Sequence, residues 1–175
     1  MYSSQCSKIK ANPNKDKDKV YTPPEVAEDC FNFIKYKLNK DHILFEPFYG
    51  KGAFYNLFGD NPKHYTEIDM GLDFFEIDDN IKTDWIITNP PYSIMNNVLD
   101  KFFKMKNLKG FGLLVNNLTT TPPRLRKMEE AGFYPTDLYI FKIRSWFGYQ
   151  YFWVFEKLDT KPKVNIKFKD KVYKY

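Results

Sequence analysis

The stretch Asn89-Pro90-Pro91-Tyr92 directly follows the apolar run Trp85-Ile86-Ile87 and combines residue types that could hold an amine. Each proline lacks an N–H, fixes its own φ and drives the residue before it into an extended conformation. Asn89 and Pro90 are therefore both pinned just outside a buried strand. The Asn89 carboxamide oxygen and the Pro90 carbonyl can face one small space as two acceptors, while Tyr92 adds a flat apolar face with a polar tip. Such a corner suits a planar group bearing –NH2. An amine of that kind is a poor nucleophile because its lone pair is delocalised into the ring. Accepting both of its hydrogens favours pyramidalisation and aims the lone pair at an electrophile. No strong base is then required, because the proton can leave after the new bond begins to form. A strand-ending turn with a core tyrosine is the plain structural alternative.

The elements around this corner follow from hydrophobic periodicity. YTPPEVAEDCFNFIKYKL predicts a helix with Thr22 as its cap, Pro23 and Pro24 at its entrance, and Val26, Cys30, Phe33, Ile34 and Leu38 at helical spacing. HILFEPF reads as a short buried strand, GAFYNLF as a short helix, HYTEID as a second strand and DWIIT as a third. Ser93 is expected to cap the helix IMNNVLDKFFKM, which is apolar at Ile94, Val98, Phe102 and Met105. GFGLLV is a further apolar strand, and PPRLRKMEEAG a helix with proline at its entrance and Gly132 at its stop. DLYIFKI and YQYFWVFEKL pair as an antiparallel hairpin around SWFG. The lysine-rich C-terminal segment either adds a strand or frays. Strands alternating with helices predict an α/β fold: a mostly parallel sheet with helices on both faces, ending in the antiparallel hairpin, with ligands beyond the carboxyl ends of the strands. Residues 1–20, with the alternating charges of ANPNKDKDK, read as a flexible polar arm, and residues 21–175 as a single domain.

In this order the motifs resemble those of the class I S-adenosylmethionine-dependent methyltransferases, in particular the DNA adenine-N6 enzymes, over roughly residues 20–157. The family hallmark, Asp/Asn-Pro-Pro-Tyr/Phe at the end of the fourth strand, is matched in full by Asn89, Pro90, Pro91 and Tyr92, which the resemblance makes the catalytic residues. Enzymes that modify RNA bases or protein glutamine amides share it. EPFYGKGAF resembles the first cofactor motif. There Glu46 would lie near the methionine ammonium, beside Pro47 and Phe48, and Gly50 and Gly52 would let the ligand approach the backbone. A dinucleotide or phosphate loop is disfavoured, because neither GxGxxG nor GxxxxGK[ST] is present. In YTEIDM the resemblance has Glu67, next to Ile68, accept from both ribose hydroxyls, with Asp69 as the fallback. In GLDFFE it has Asp73 accept from the cofactor adenine and Phe74 pack on that ring. Only five residues separate Glu67 from Asp73, too few for the helix the family usually inserts, so a shortened connection is expected. YTPPEVA resembles an additional cofactor motif, with Tyr21, Thr22 and Pro23 flanking the methionine end, and the resemblance counts Asn89 among the cofactor-binding residues as well. A Rossmann-like fold and S-adenosyl-L-methionine as cofactor are implied.

At 175 residues the chain has length for one core, and the resemblance leaves no separate target-recognition domain. Reading of DNA would fall to loops, charged ends or a partner subunit. Stacked adenine must flip out or arrive single-stranded. NNLTTTPPRLRK offers Asn116, Asn117, Thr119, Thr120, Arg124 and Arg126, and IRSWFGYQ offers Arg144, Trp146 and Phe147. The resemblance implies that Trp146 or Phe147 sandwiches the target base against Tyr92; hydrophobic packing of the hairpin is the alternative. A formal charge of +5 and the lysines at positions 19, 161, 163, 167, 169 and 171 would attract phosphates, or simply form a solvated face. Cys6 and Cys30 make no metal-ligand spacing and no disulfide framework, so no metal is expected. No apolar stretch reaches the length of a membrane span, and MYSSQCSKIK lacks a signal-peptide core. The expected setting is cytoplasmic, the host-cell cytoplasm for a virus-encoded protein. The expected activity is methyl transfer to the N6 amine of adenine in DNA. The alternatives are the same chemistry on RNA adenine or a protein glutamine amide, and a non-catalytic subunit that binds nucleic acid.

Overall fold

A computed structural model describes residues 20–174, with the side chains of 166–172 excepted. The expected polar arm, apart from Val20, lies outside the described residues, as do Lys19 and the side chains of Lys167, Lys169 and Lys171. Strands β1 (Leu44–Glu46), β2 (Lys63–Tyr65), β3 (Trp85–Thr88), β4 (Gly110–Asn116), β5 (Phe133–Ile143), β6 (Gln150–Lys157) and β7 (Asn165–Tyr173) form one sheet. Their order is β2-β1-β3-β4-β6-β5-β7. The pairs β1–β2, β1–β3, β3–β4 and β5–β7 are parallel, and β6 alone runs against its neighbours β4 and β5. The segment after the hairpin thus adds an edge strand rather than fraying.

Helices cover both faces. Helix α1 (Pro24–Ile34) buries Val26, Ala27, Cys30 and Ile34 against Leu44, Trp85, Ile87, Leu114 and Phe152. On the other face, α2 (Met95–Lys104) and α3 (Pro122–Glu130) set Met95, Val98, Phe102 and Met128 against Phe45, Ile86, Phe111 and Leu113. Trp85 and Ile87 go to one layer and Ile86 to the other because strand side chains alternate. That is why β1 and β3, covered on both sides, are apolar runs without a polar face. Gly112 lets α1 approach: a Cβ there would lie 2.6 Å from the Phe152 ring and 3.1 Å from Ile34.

Four local expectations need correction. GAFYNLF forms only a 3-10 turn, Tyr55–Phe58, because Gly52 (φ 71°) and Gly59 (φ 56°) bracket it in left-handed conformations. The second strand stops at Tyr65, since the Thr66 carbonyl accepts instead from Tyr49 N–H at 3.1 Å in the loop after β1. Ser93 is not the cap of α2: it lies within a 3-10 turn, Tyr92–Ile94, and Ile94 takes the capping position without a side-chain bond. Thr22 is not the cap of α1 either. Pro23 occupies that place, and its carbonyl accepts from Val26 and Ala27 N–H at 3.0 Å. The shortened connection is present as expected. Between Glu67 and Asp73 lies a single 3-10 turn, Ile68–Met70, closed by Gly71 at φ 80°. Among the described residues no helix is long and apolar enough to cross a membrane.

Candidate active site

The chain leaves β1, β2 and β3 at the same edge of the sheet, which gathers Glu46, Glu67 and Asn89. The loops after β1 and β2 are zipped together there. Thr66 N–H donates to the Glu46 carbonyl at 3.2 Å, and the Thr66 hydroxyl to the Pro47 carbonyl at 2.6 Å. Gly50 N–H donates to Glu67 Oε2 at 2.6 Å, and Asp69 N–H reaches Glu67 Oε1 at 3.4 Å. Glu67 therefore stands partly exposed with its carboxylate oriented by two backbone N–H groups. Gly50 adopts φ 54°, and a Cβ on it would lie 3.2 Å from the Tyr21 ring, so this turn needs glycine in both conformation and space.

Glu46 is 2% exposed, and its Oε2 accepts from Tyr55 N–H at 2.7 Å. Burial pushes its carboxyl up to about 8; the Tyr55 and Phe54 N–H groups pull it down, and the Glu67 charge pushes it further up. No cation pairs with this carboxyl among the described residues, and it would ionise readily beside one.

Asn89 stands where β3 ends, partly exposed, between buried Thr88 and buried Pro90. Its Nδ2 donates to the Val20 carbonyl at 3.1 Å and to Thr22 Oγ1 at 3.2 Å. Tyr92 is partly buried against the core layer of α2. The Thr88 hydroxyl, fully buried, has no hydrogen-bond partner among the described residues. Orphans of this kind are few in folded proteins and mark places where a ligand or water belongs.

Other expected residues fall differently. Phe74 is 2% exposed and packs among Phe45, Phe48, Phe75 and Phe102, so it is a core residue rather than an open ring surface. Asp73 uses Oδ1 to accept from Phe75 N–H at 2.8 Å. Ile68, in contrast, is 54% exposed beside Glu67.

The expected nucleic-acid loops form a second cluster at the end of β4 and the tip of the β5–β6 hairpin. They touch one another: Asn117 N–H donates to the Tyr149 carbonyl at 3.1 Å. Asn116 is committed to its own turn, its Oδ1 accepting from Leu118 N–H, Thr119 N–H and the Thr119 hydroxyl within 2.8–3.0 Å. Arg124 is likewise held, donating to Asn96 Oδ1 at 2.8 Å and the Thr119 carbonyl at 2.7 Å. Arg126 and Arg144 are exposed. The two tip aromatics separate: Trp146 packs against the core, whereas Phe147 is 75% exposed.

Several further residues belong to the two clusters. Lys142 donates to the Trp146 and Gly148 carbonyls, and the fully buried Gln150 donates to the Phe147 and Gly148 carbonyls at 3.1 Å. These two polar residues interrupt apolar strands on either side of the tip, a signal that they brace it. Tyr149 and Leu118 add exposed apolar surface nearby. Lys51 places its ammonium 4.6 Å from the Tyr21 ring centroid. The Val20 carbonyl carries no sequence signal at all.

No family model matches the sequence, and no curated protein matches it. Solved structures do share its architecture. A Listeria monocytogenes chain assigned as a class I S-adenosylmethionine-dependent methyltransferase superposes with a TM-score of 0.65 at 12% identity, covering 88% of this chain and 67% of its own. A Pyrococcus horikoshii chain assigned as an RNA methyltransferase gives 0.62 at 17% identity, covering 78% and 86%. A Burkholderia thailandensis 1,6-didemethyltoxoflavin-N1-methyltransferase, solved with S-adenosylhomocysteine, gives 0.59 at 13%, covering 83% and 84%. At these identities the likeness is one of fold, and the Rossmann-like class I methyltransferase architecture expected from the sequence is the one observed.

Proposed function

We propose that this chain transfers a methyl group from S-adenosylmethionine to the N6 amine of adenine in DNA. The observation that carries the reading is the Asn89 carboxamide, which stands at the carboxyl end of β3 with its nitrogen engaged and its Oδ1 left to accept. The residues at the strand ends fit the cofactor. Glu46 is a buried carboxyl with no cation beside it among the described residues, Glu67 is an oriented carboxylate, and the Gly50 turn between them carries no Cβ and is faced by the Tyr21 ring. The bound cofactor supplies an electrophilic methyl group on a sulfonium.

Glu46 would pair with the cofactor's ammonium, and Glu67 would accept from the ribose hydroxyls. The exposed Ile68 side chain offers an apolar surface for the adenine, in place of the buried Phe74. Asn89 Oδ1 and the Pro90 carbonyl accept the two hydrogens of the target amine, so that its lone pair leaves conjugation. Tyr92 holds the base by stacking; the carbon–nitrogen bond would form at the expense of the sulfonium's S–CH3 bond, leaving the neutral thioether, and the proton then departs to water. Catalysis on this account is mainly alignment. The exposed Phe147, on a braced hairpin tip, is suited to unstacked bases, in line with a nucleic-acid substrate.

The test is incubation with methyl-labelled cofactor followed by separation of DNA, RNA and protein. Label recovered as N6-methyladenine in DNA supports the proposal. Label confined to RNA or to protein amides keeps the chemistry and changes the substrate. Label in none of the three refutes the proposal.

A further inference from the structure

The segment Val20-Tyr21-Thr22 lies as a strap that makes contact with the loops after β1 and β3. It reaches Asn89 although Val20 lies 69 positions earlier in the chain. A carboxamide can occupy its place in two orientations that exchange the oxygen and the –NH2. The strap discriminates between them. The Val20 carbonyl can only accept, so a flipped amide would set two acceptors against one another at about 3.1 Å. Thr22 Oγ1 takes a second bond from the same nitrogen at 3.2 Å; a hydroxyl can donate as well as accept, so this bond anchors the amide while the carbonyl sets its sense. Both Nδ2 hydrogens are thereby used, and Oδ1 has no partner among the described residues. The strap is itself held: the Tyr21 ring rests on Gly50, the Lys51 ammonium lies 4.6 Å from that ring, and Pro23 keeps Thr22 extended.

We propose that Thr22 is a positioning residue, whose hydroxyl acts with the Val20 carbonyl to hold the Asn89 carboxamide so that Oδ1 faces the substrate amine. This rests on the reading of Asn89 as the amine acceptor, and it gives Thr22 a role apart from helix capping or contact with the cofactor. An acceptor that can turn away spends part of its time as a donor, which repels the amine instead of binding it. Orientation therefore bears on turnover and leaves cofactor binding alone.

The experiment compares wild type, Thr22→Val and Thr22→Ser. Valine keeps the shape and removes the acceptor; serine keeps the acceptor. Methyl transfer, S-adenosylhomocysteine affinity, thermal unfolding and the side-chain amide resonances of Asn89 (assigned by their loss in Asn89→Ala) are measured for each. The expected result for Thr22→Val is a kcat lowered by about tenfold to a hundredfold, as for a misaligned reacting group. Its ligand affinity and unfolding temperature should stay unchanged, and the Asn89 amide protons should exchange faster, while Thr22→Ser behaves as wild type. Wild-type turnover in Thr22→Val, or an undisturbed Asn89 resonance, overturns the proposal. So does a Thr22→Ser variant as impaired as Thr22→Val, since the contribution is then steric. A wild type that methylates no substrate overturns the functional reading instead, and the positioning role falls with it.

Discussion

If Glu46 pairs with the cofactor's ammonium as proposed, replacing it with glutamine should separate stability from cofactor binding. Desolvation raises this group from 4.5 to about 8, against the backbone N–H groups of Tyr55 and Phe54. A carboxyl that holds its proton more tightly folded than unfolded contributes stability that is complete below pH 4.5 and is lost as pH rises to about 8. At 1.36 kcal/mol per pH unit, that loss approaches a ceiling of about 4–5 kcal/mol. Glutamine keeps the acceptor for Tyr55 N–H and never ionises, so Glu46→Gln should gain on wild type in urea melts as pH rises from 5 to 9. Ligand binding should move the other way. An ammonium beside Glu46 requires the ionised form, which is about one part in three hundred at pH 5.5 and about one in eleven at pH 7. Wild-type affinity for S-adenosylhomocysteine should therefore rise about thirtyfold between those values, with about 0.9 proton released per ligand at pH 7. Calorimetry in two buffers of different ionisation enthalpy reads the proton directly. The Glu46→Gln variant should bind weakly at both values and release none. A wild type that binds equally well at pH 5.5 and pH 7, with no proton release, would refute the assignment of Glu46 to the ammonium.

Asn89→Ala should abolish methyl transfer while leaving S-adenosylhomocysteine affinity within about twofold, because the side chain acts on the amine; parallel loss of both would make it structural. Glu67→Ala should weaken that affinity by about tenfold to a hundredfold through lost charge-assisted hydrogen bonds, and an unchanged calorimetric Kd removes it from the ribose. Gly112→Ala should cost about 1–3 kcal/mol in urea unfolding, the usual penalty for overpacking a tight contact, since its Cβ would meet the Phe152 ring at 2.6 Å. Phe147→Ala should raise KM for DNA by about tenfold, the loss of roughly one base stack. Cofactor affinity and unfolding temperature should not move for an exposed tip residue, and an unaltered KM would reassign the tip.

What is legible in this sequence is whatever the backbone dictates locally. Two prolines after an apolar strand fix the Asn89 corner from its own four residues, and the five-residue gap after Glu67 excludes a helix by length alone. Apolar runs set between helical periods mark strands by composition, so β1, β3, β4 and the β5–β6 hairpin emerge near their observed bounds. What escapes depends on which distant group happens to face a side chain. Asn116 and Arg124 look free for phosphates in one dimension, yet their polar atoms close a turn and brace α2. Phe74 sits where the resemblance expects a ring surface, but with no helix before it the short connection folds it into the core beneath Phe48. The polarity of the Asn89 corner is the sharpest case. Asn89 alone carries an acceptor and a donor in equal measure, so its motif is ambiguous as chemistry. The ambiguity is resolved by a main-chain carbonyl at Val20, and any residue there presents the same carbonyl. A side-chain motif can thus draw its function from a backbone atom that sequence comparison cannot see, which is why the orientation of Asn89 has to be tested through the strap and not through Asn89 itself.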